Sequence, residues 1–104
     1  MNLILKAVYF CATNRNSWGK GYTAAEAKKN AGITTLKAPK GVQFYVQAAI
    51  LNDPTEAELD NIFACITAHS IDGSAKYYDD GRTLIDTEMI NKLHVGWLTV
   101  EKNY

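Results

Sequence analysis

The stretch that decides the fold is Val42-Gln-Phe-Tyr-Val-Gln-Ala-Ala-Ile-Leu51. Val42, Phe44, Val46, Ala48 and Ile50 fall on one side of an extended chain, and Gln43, Tyr45 and Gln47 on the other. Successive side chains of a strand point to opposite faces, so the pattern predicts a strand with one face on a core and one face wet. A strand of that kind belongs to a largely antiparallel sheet with helices on one face.

Downstream the period changes from two to that of a helix. Asp53-Pro-Thr-Glu56 offers an N-cap at Asp53, Pro54 at the first helical position and Glu56 in the first turn. Leu59, Ile62, Phe63 and Ile66 then recur at helical spacing, which predicts a buried stripe on a helix running to about His69.

Upstream, residues 3–12 (Leu-Ile-Leu-Lys-Ala-Val-Tyr-Phe-Cys-Ala) form a nearly continuous apolar run broken at Lys6. That predicts a central strand covered on both faces over much of its length. Asn14 to Gly21 reads as a loop. Thr23-Ala-Ala-Glu26 is a capping box, and the helix it opens runs to about Ala31 and stops at Gly32. Ala24, Ala27 and Ala31 would face inward, and Lys28, Lys29 and Asn30 largely outward. Residues 33–41 are irregular, with Pro39-Lys-Gly41 as a turn signal.

Beyond the second helix, Asp79-Asp80-Gly81 lies between Ser74–Tyr78 and Arg82–Ile85 and reads as a hairpin turn. Asp86 or Thr87 can cap a short third helix ending near Leu93, and Val95–Val100 is a last strand carrying Trp97. The whole of 1–104 reads as one α+β domain. Its sheet would be four- or five-stranded and mainly antiparallel, with two helices packed on one face and a short third helix.

Composition narrows the function classes. Eleven Lys+Arg meet eleven Asp+Glu, for a formal net charge of +0. A protein that gains affinity by neutralising phosphates usually carries a basic surplus, so nucleic acid is not the favoured partner. The same neutrality gives little colloidal repulsion, so a homodimer is an expectation. Cys11 and Cys65 each sit in an apolar run and read as buried free thiols. The apolar start lacks a positive n-region and is interrupted by Lys6, and no run reaches the 18 or so apolar residues of a membrane span. A cytoplasmic address and no membrane partner are expected.

Two patches stand out as contact surfaces. Arg15, Trp18, Lys20 and Tyr22 gather basic and aromatic groups between the first strand and first helix. Tyr77, Tyr78, Asp79, Asp80 and Arg82 form an aromatic and acidic patch at the hairpin. Aromatic and Arg side chains are what interface hot spots favour. The competing reading for Trp18 folds it back onto the small Ala24/Ala27 surface. Gly19-Lys20-Gly21 is no phosphate loop, since Asn14 stands where the pattern needs Gly and Gly21 where it needs Ser or Thr. His69 and His94 read as residues at helix C-termini, and their spacing from the cysteines matches no metal motif. No cofactor is implied.

Trp18-Gly-Lys-Gly-Tyr-Thr-Ala-Ala-Glu-Ala27 resembles the strand-loop-helix modules of small accessory proteins of bacteria and their phages. The short, motif-free chain reads as a non-catalytic binding module whose partner is another protein. In its narrowest form it is a phage or mobile-element protein inhibiting a host immune complex, of the anti-CRISPR kind. The alternatives are a nucleic-acid accessory protein using Arg15 to Tyr22, and a small enzyme or small-molecule binder whose site is assembled only in space.

Overall fold

The computed structural model describes residues 3–34, 38–71, 73, 75–78 and 86–104. A four-stranded sheet is built from β1 (Leu5–Thr13), β2 (Trp18–Gly21), β3 (Phe44–Asn52) and β6 (His94–Lys102), in the order β2-β1-β3-β6. Every neighbouring pair is antiparallel. Three helices accompany it: α1 (Ala24–Asn30), α2 (Glu56–Cys65) and α3 (Thr87–Leu93). A two-stranded ribbon pairs β4 (Ile66–Thr67) with β5 (Lys76–Tyr77). The fold is α+β with a four-stranded antiparallel sheet.

β1 and β3 pair without interruption from Leu5 opposite Asn52 to Thr13 opposite Phe44. They form the centre of the sheet, as the apolar run at 3–12 implied. The expectation of a wet face on β3 is not met. Tyr45 and Gln47 are buried along with Phe44, Val46, Ala48 and Ala49. The alternation marks two chemically different faces, and both are covered from Phe44 to Ala49. Tyr45 lies against Phe10 with ring centroids 5.9 Å apart, an apolar body accepted inside despite its hydroxyl.

The sheet therefore separates two cores. On one face Val8, Phe10, Ala12, Tyr45, Ala49 and Leu51 pack with Ile62 and Ile66 from the α2 segment and Ile90 and Leu93 of α3. On the other, Cys11, Phe44 and Val46 pack with Ala27, Ala31 and Ile33 around α1. The two helices that share a face are α2 and α3, and α1 lies alone on the opposite one.

Asn14–Gly21 is a loop only in its first half. Trp18–Gly21 is an edge strand pairing with Tyr9–Ala12, and the connecting turn is Asn14–Ser17. Asn16 adopts φ 61 in that turn, and the Thr13 hydroxyl accepts from the amides of Arg15 and Ser17. Glycine at every second position lets α1 lie directly on β2. A Cβ at Gly19 would stand 2.4 Å from the Ala31 nitrogen, and one at Gly21 2.7 Å from the Ala27 nitrogen.

The helix ends follow local chemistry. Thr23 caps α1 by accepting from the Glu26 amide, but Glu26 reaches back one residue further than a capping box requires, to the Tyr22 amide at 3.0 Å. Lys28 does not point freely outward; it pairs with Glu101 at 3.1 Å and lies over the Phe44 ring. For α2 the cap is Thr55, not Asp53. Thr55 and Glu58 complete a reciprocal capping box, which satisfies two amides where Asp53 could satisfy one. Asp53 instead takes φ 46 and its amide donates to the Ile4 carbonyl.

α2 stops at Cys65, four residues short of the expected end. Ile66 is extended, and Ile66–Thr67 pairs with Tyr77–Lys76. The β-branched pair prefers the ribbon to another helical turn. The expected hairpin strand Ser74–Tyr78 survives as Lys76–Tyr77 with β4 as its partner; the turn at Asp79-Asp80-Gly81 and the strand Arg82–Ile85 lie outside the described residues. Asp86 caps α3 as anticipated, accepting from the Met89 amide at 3.1 Å. No helix among the described residues is long and apolar enough to cross a membrane.

Candidate functional site

Because Gly19 and Gly21 face α1, the alternate residues Trp18, Lys20 and Tyr22 are turned to the face that holds α2. Trp18 stacks near Phe10 with centroids 5.9 Å apart, so the indole does not fold onto Ala24 and Ala27. The Lys20 ammonium sits 5.4 Å from the Trp18 ring centroid and 5.2 Å from that of Phe63. It also donates to the Ala64 carbonyl at 3.4 Å, near the C-terminal end of α2, where a cation complements the helix dipole. Tyr22 stacks on Phe63 with centroids 4.7 Å apart and rings 18° from parallel. Its hydroxyl donates to the Asp60 carboxylate. Burial and that carboxylate together push the Tyr22 hydroxyl up to about 12.

Arg15 stands apart in the turn, with its guanidinium on the Lys40 carbonyl. Of the second patch, Tyr77 and Tyr78 diverge. Tyr77 turns inward against His94 and Trp97, at 5.2 and 5.3 Å between centroids. Burial raises its hydroxyl pKa, and no described group hydrogen-bonds it. Tyr78 is exposed and shares a 3.0 Å hydrogen bond with Nδ1 of His69. Asp79, Asp80 and Arg82 lie outside the described residues.

Only one of the two histidines stands at a helix end. His69 lies beyond the end of α2 and is held by Tyr78. His94 does follow α3, but burial lowers its pKa and opposes a charge there. Cys11 and Cys65 are free and buried, and burial pushes the Cys11 thiol up to about 11. Among the described residues no group of three or more His, Cys, Asp or Glu gathers closely enough to hold a metal ion.

A groove joins members of both patches. A cleft of about 490 Å³ lies between the β1–β2 turn and residues 68–71, with Ala12, Trp18, Ala68 and Ile71 as its apolar part and Asn14, Asn16, Ser17 and His69 on its polar side. A second cleft of about 440 Å³ adjoins it at Trp18 and Ala68 and extends past Lys20, Cys65 and Thr67 to Tyr78. Trp18, 38% exposed, is the ridge between them. Sequence reasoning placed Trp18, Lys20 and Tyr78 among contact residues but missed the opposite wall, residues 64–71, by extending α2 through it. The alternation of Gly19 and Gly21 with Trp18, Lys20 and Tyr22 was the signal for β2 and for which way the indole faces. Comparison with family models, curated proteins and solved structures finds no match to this chain.

Proposed function

We propose that this chain is a non-catalytic protein-binding module whose contact surface is the groove flanking Trp18. One observation carries the reading: Trp18 and Tyr78, from patches sixty residues apart in sequence, line one cleft, and Trp18 and Ala68 join it to a second cleft with a polar side at Asn14, Asn16 and Ser17. A half-exposed aromatic ridge between concave pockets is where interface energy concentrates. Asn16 and Ser17 supply an amide and a hydroxyl suited to the main chain of an incoming loop or extended segment, Asn14 being tied to Gly41 and Gln43, and Ala12, Ala68 and Ile71 suit an apolar side chain of that segment.

The same geometry speaks against the phosphate-binding alternative. Lys20 is drawn in over two rings and a carbonyl, and Arg15 is tied to the loop at Lys40. Contact with a nucleic acid would have to break those interactions first. The narrower reading as an inhibitor of a host immune complex rests on the style of the sequence, and the proposal is made at the level of a protein partner.

The test is a Trp18→Ala variant. Truncating a fully buried Trp costs roughly 3–5 kcal/mol; Trp18 is 38% exposed, so a loss of about 2–3 kcal/mol is expected and the variant should stay folded at room temperature. Affinity capture from the source cell should return a stoichiometric partner with the parent chain and lose it with Trp18→Ala. A partner retained by the variant, or none captured by the parent, removes the proposal.

A further inference from the structure

Among the described residues, only half of the face that carries α1 is covered. α1 is seven residues long and lies over Cys11, Phe44 and Val46. The rest of that face consists of three cross-strand rows read from the register: Tyr9 with Ala48 and Leu98, Ala7 with Ile50 and Gly96, and Leu5 with Asn52. Leu5 is 52% exposed and Leu98 56%. Leu3 continues the row pattern beyond Leu5 and is 68% exposed, and Val100, an extra residue in the β6 bulge beside Glu101, is 42% exposed. No charged side chain falls in these rows. Nearest to them is the Lys28–Glu101 ion pair, whose charges compensate each other. The opposite face of the same strands is packed under α2 and α3.

We propose that this bare half-face docks a second copy of the chain, sheet against sheet, in a two-fold dimer. Three features favour a second copy over an unrelated partner. The rows hold nothing a charged partner could grip, and the chain's formal net charge of +0 leaves no repulsion between copies. Ala7 and Gly96 keep the middle of the bare rows low, so another sheet can approach closely, while Ala48 is already buried beside Tyr9 and Leu98. The layer heights also match: packed sheets lie about 10 Å apart, and a helix is about 10 Å across, so a second sheet continues the layer α1 begins. A two-fold axis crossing the strands lays bare half on bare half and sets each α1 beyond the ends of the other copy's strands. With roughly 100 Å² per buried aliphatic side chain, Leu3, Leu5, Ile50, Leu98 and Val100 supply an apolar centre of several hundred Å². That is the apolar centre of a standard interface, which buries roughly 800 Å² per partner.

The inference does not rest on the Trp18 groove, which opens on the other face. Sedimentation of the full chain tests it. The parent should sediment at twice its 11.5 kDa mass at concentrations on the order of 100 μM. Leu98→Lys and Leu5→Lys, both at exposed positions, should keep the parent's melting temperature at concentrations where both are monomeric, while raising the dimer dissociation constant by 10-fold or more. Trp18→Ala should leave the dimer as it is. A parent that stays monomeric throughout that range overturns the proposal, and the face then belongs to a different occupant. A dimer untouched by both lysine variants overturns it equally, since such a contact would run through the β6 edge or the groove.

Discussion

The two edges of the sheet are built on opposite terms. β2 has four residues, glycine at alternate positions, α1 pressed onto one side and the end of α2 reached by Lys20 on the other. β6 has nine residues, two bulges where Val95 and Val100 are extra, and large apolar side chains left in water on the α1 side. Natural sheets protect their edges by shortness, bulges, charge or cover. β2 uses shortness and cover. β6 relies on bulges, which spoil strand addition along its edge but leave the adjoining face bare. The short edge is therefore a place where packing and contact share the same side chains, and the long edge a place where contact residues contribute little to the fold.

Glycine substitutions at the two edges would break that comparison most sharply. Gly19→Ala forces a Cβ to within 2.4 Å of α1 backbone atoms that cannot swing aside. We expect a loss of about 3 kcal/mol or more, read by urea denaturation, as α1 lifts from β2. Next in size is Tyr22→Phe, which removes the hydrogen bond to Asp60 but keeps the stack on Phe63; the expected loss is about 1 kcal/mol at neutral pH. The folded-state pKa of Tyr22 is raised from 10.0 to about 12, so its contribution is complete below pH 10 and disappears as pH rises toward 12. Melting curves of parent and variant should converge over that interval, and a constant difference would show that the proton is not the link. The smallest effect belongs to Gly96→Ala. A Cβ there meets no atom within 4 Å, and stability should change by less than about 0.5 kcal/mol. Equal costs at Gly19 and Gly96 would erase the distinction between the edges.

Much of the fold was legible because its signals are local. The apolar run at 3–12, the Thr23 cap, the Gly32 stop with φ +90, the Leu59–Phe63 stripe and the Asp86 cap all act through neighbours within one turn. The misreadings arose where two local options competed or where tertiary contact decided. Asp53 was read as the cap of α2, but the reciprocal bond from Glu58 makes Thr55 the cap. Ile66 fits a helical stripe equally well, but Tyr77 gave it a strand partner. The burial of Tyr45 and Gln47 depends on α2 and α3 arriving from far along the chain, which no window around β3 contains. For the groove, Trp18, Lys20 and Tyr78 were readable by residue type. That they meet across Ala68 was not, since the meeting follows from the early end of α2.

The division of the interior by the sheet bears on how the chain acquires its structure. Every member of the cluster beneath α1 lies between Cys11 and Val46, whereas the cluster under α2 and α3 draws on residues from Val8 to Leu93. Closing a short loop costs less entropy than closing a long one. The half built from the first fifty or so residues is thus positioned to condense first, with β6 and α3 adding last. Pulse-labelled hydrogen exchange reads that order directly: early protection at the Tyr45 and Gln47 amides, which face β1, ahead of the Leu98 amide, which faces β3, would support it, and simultaneous protection would refute it.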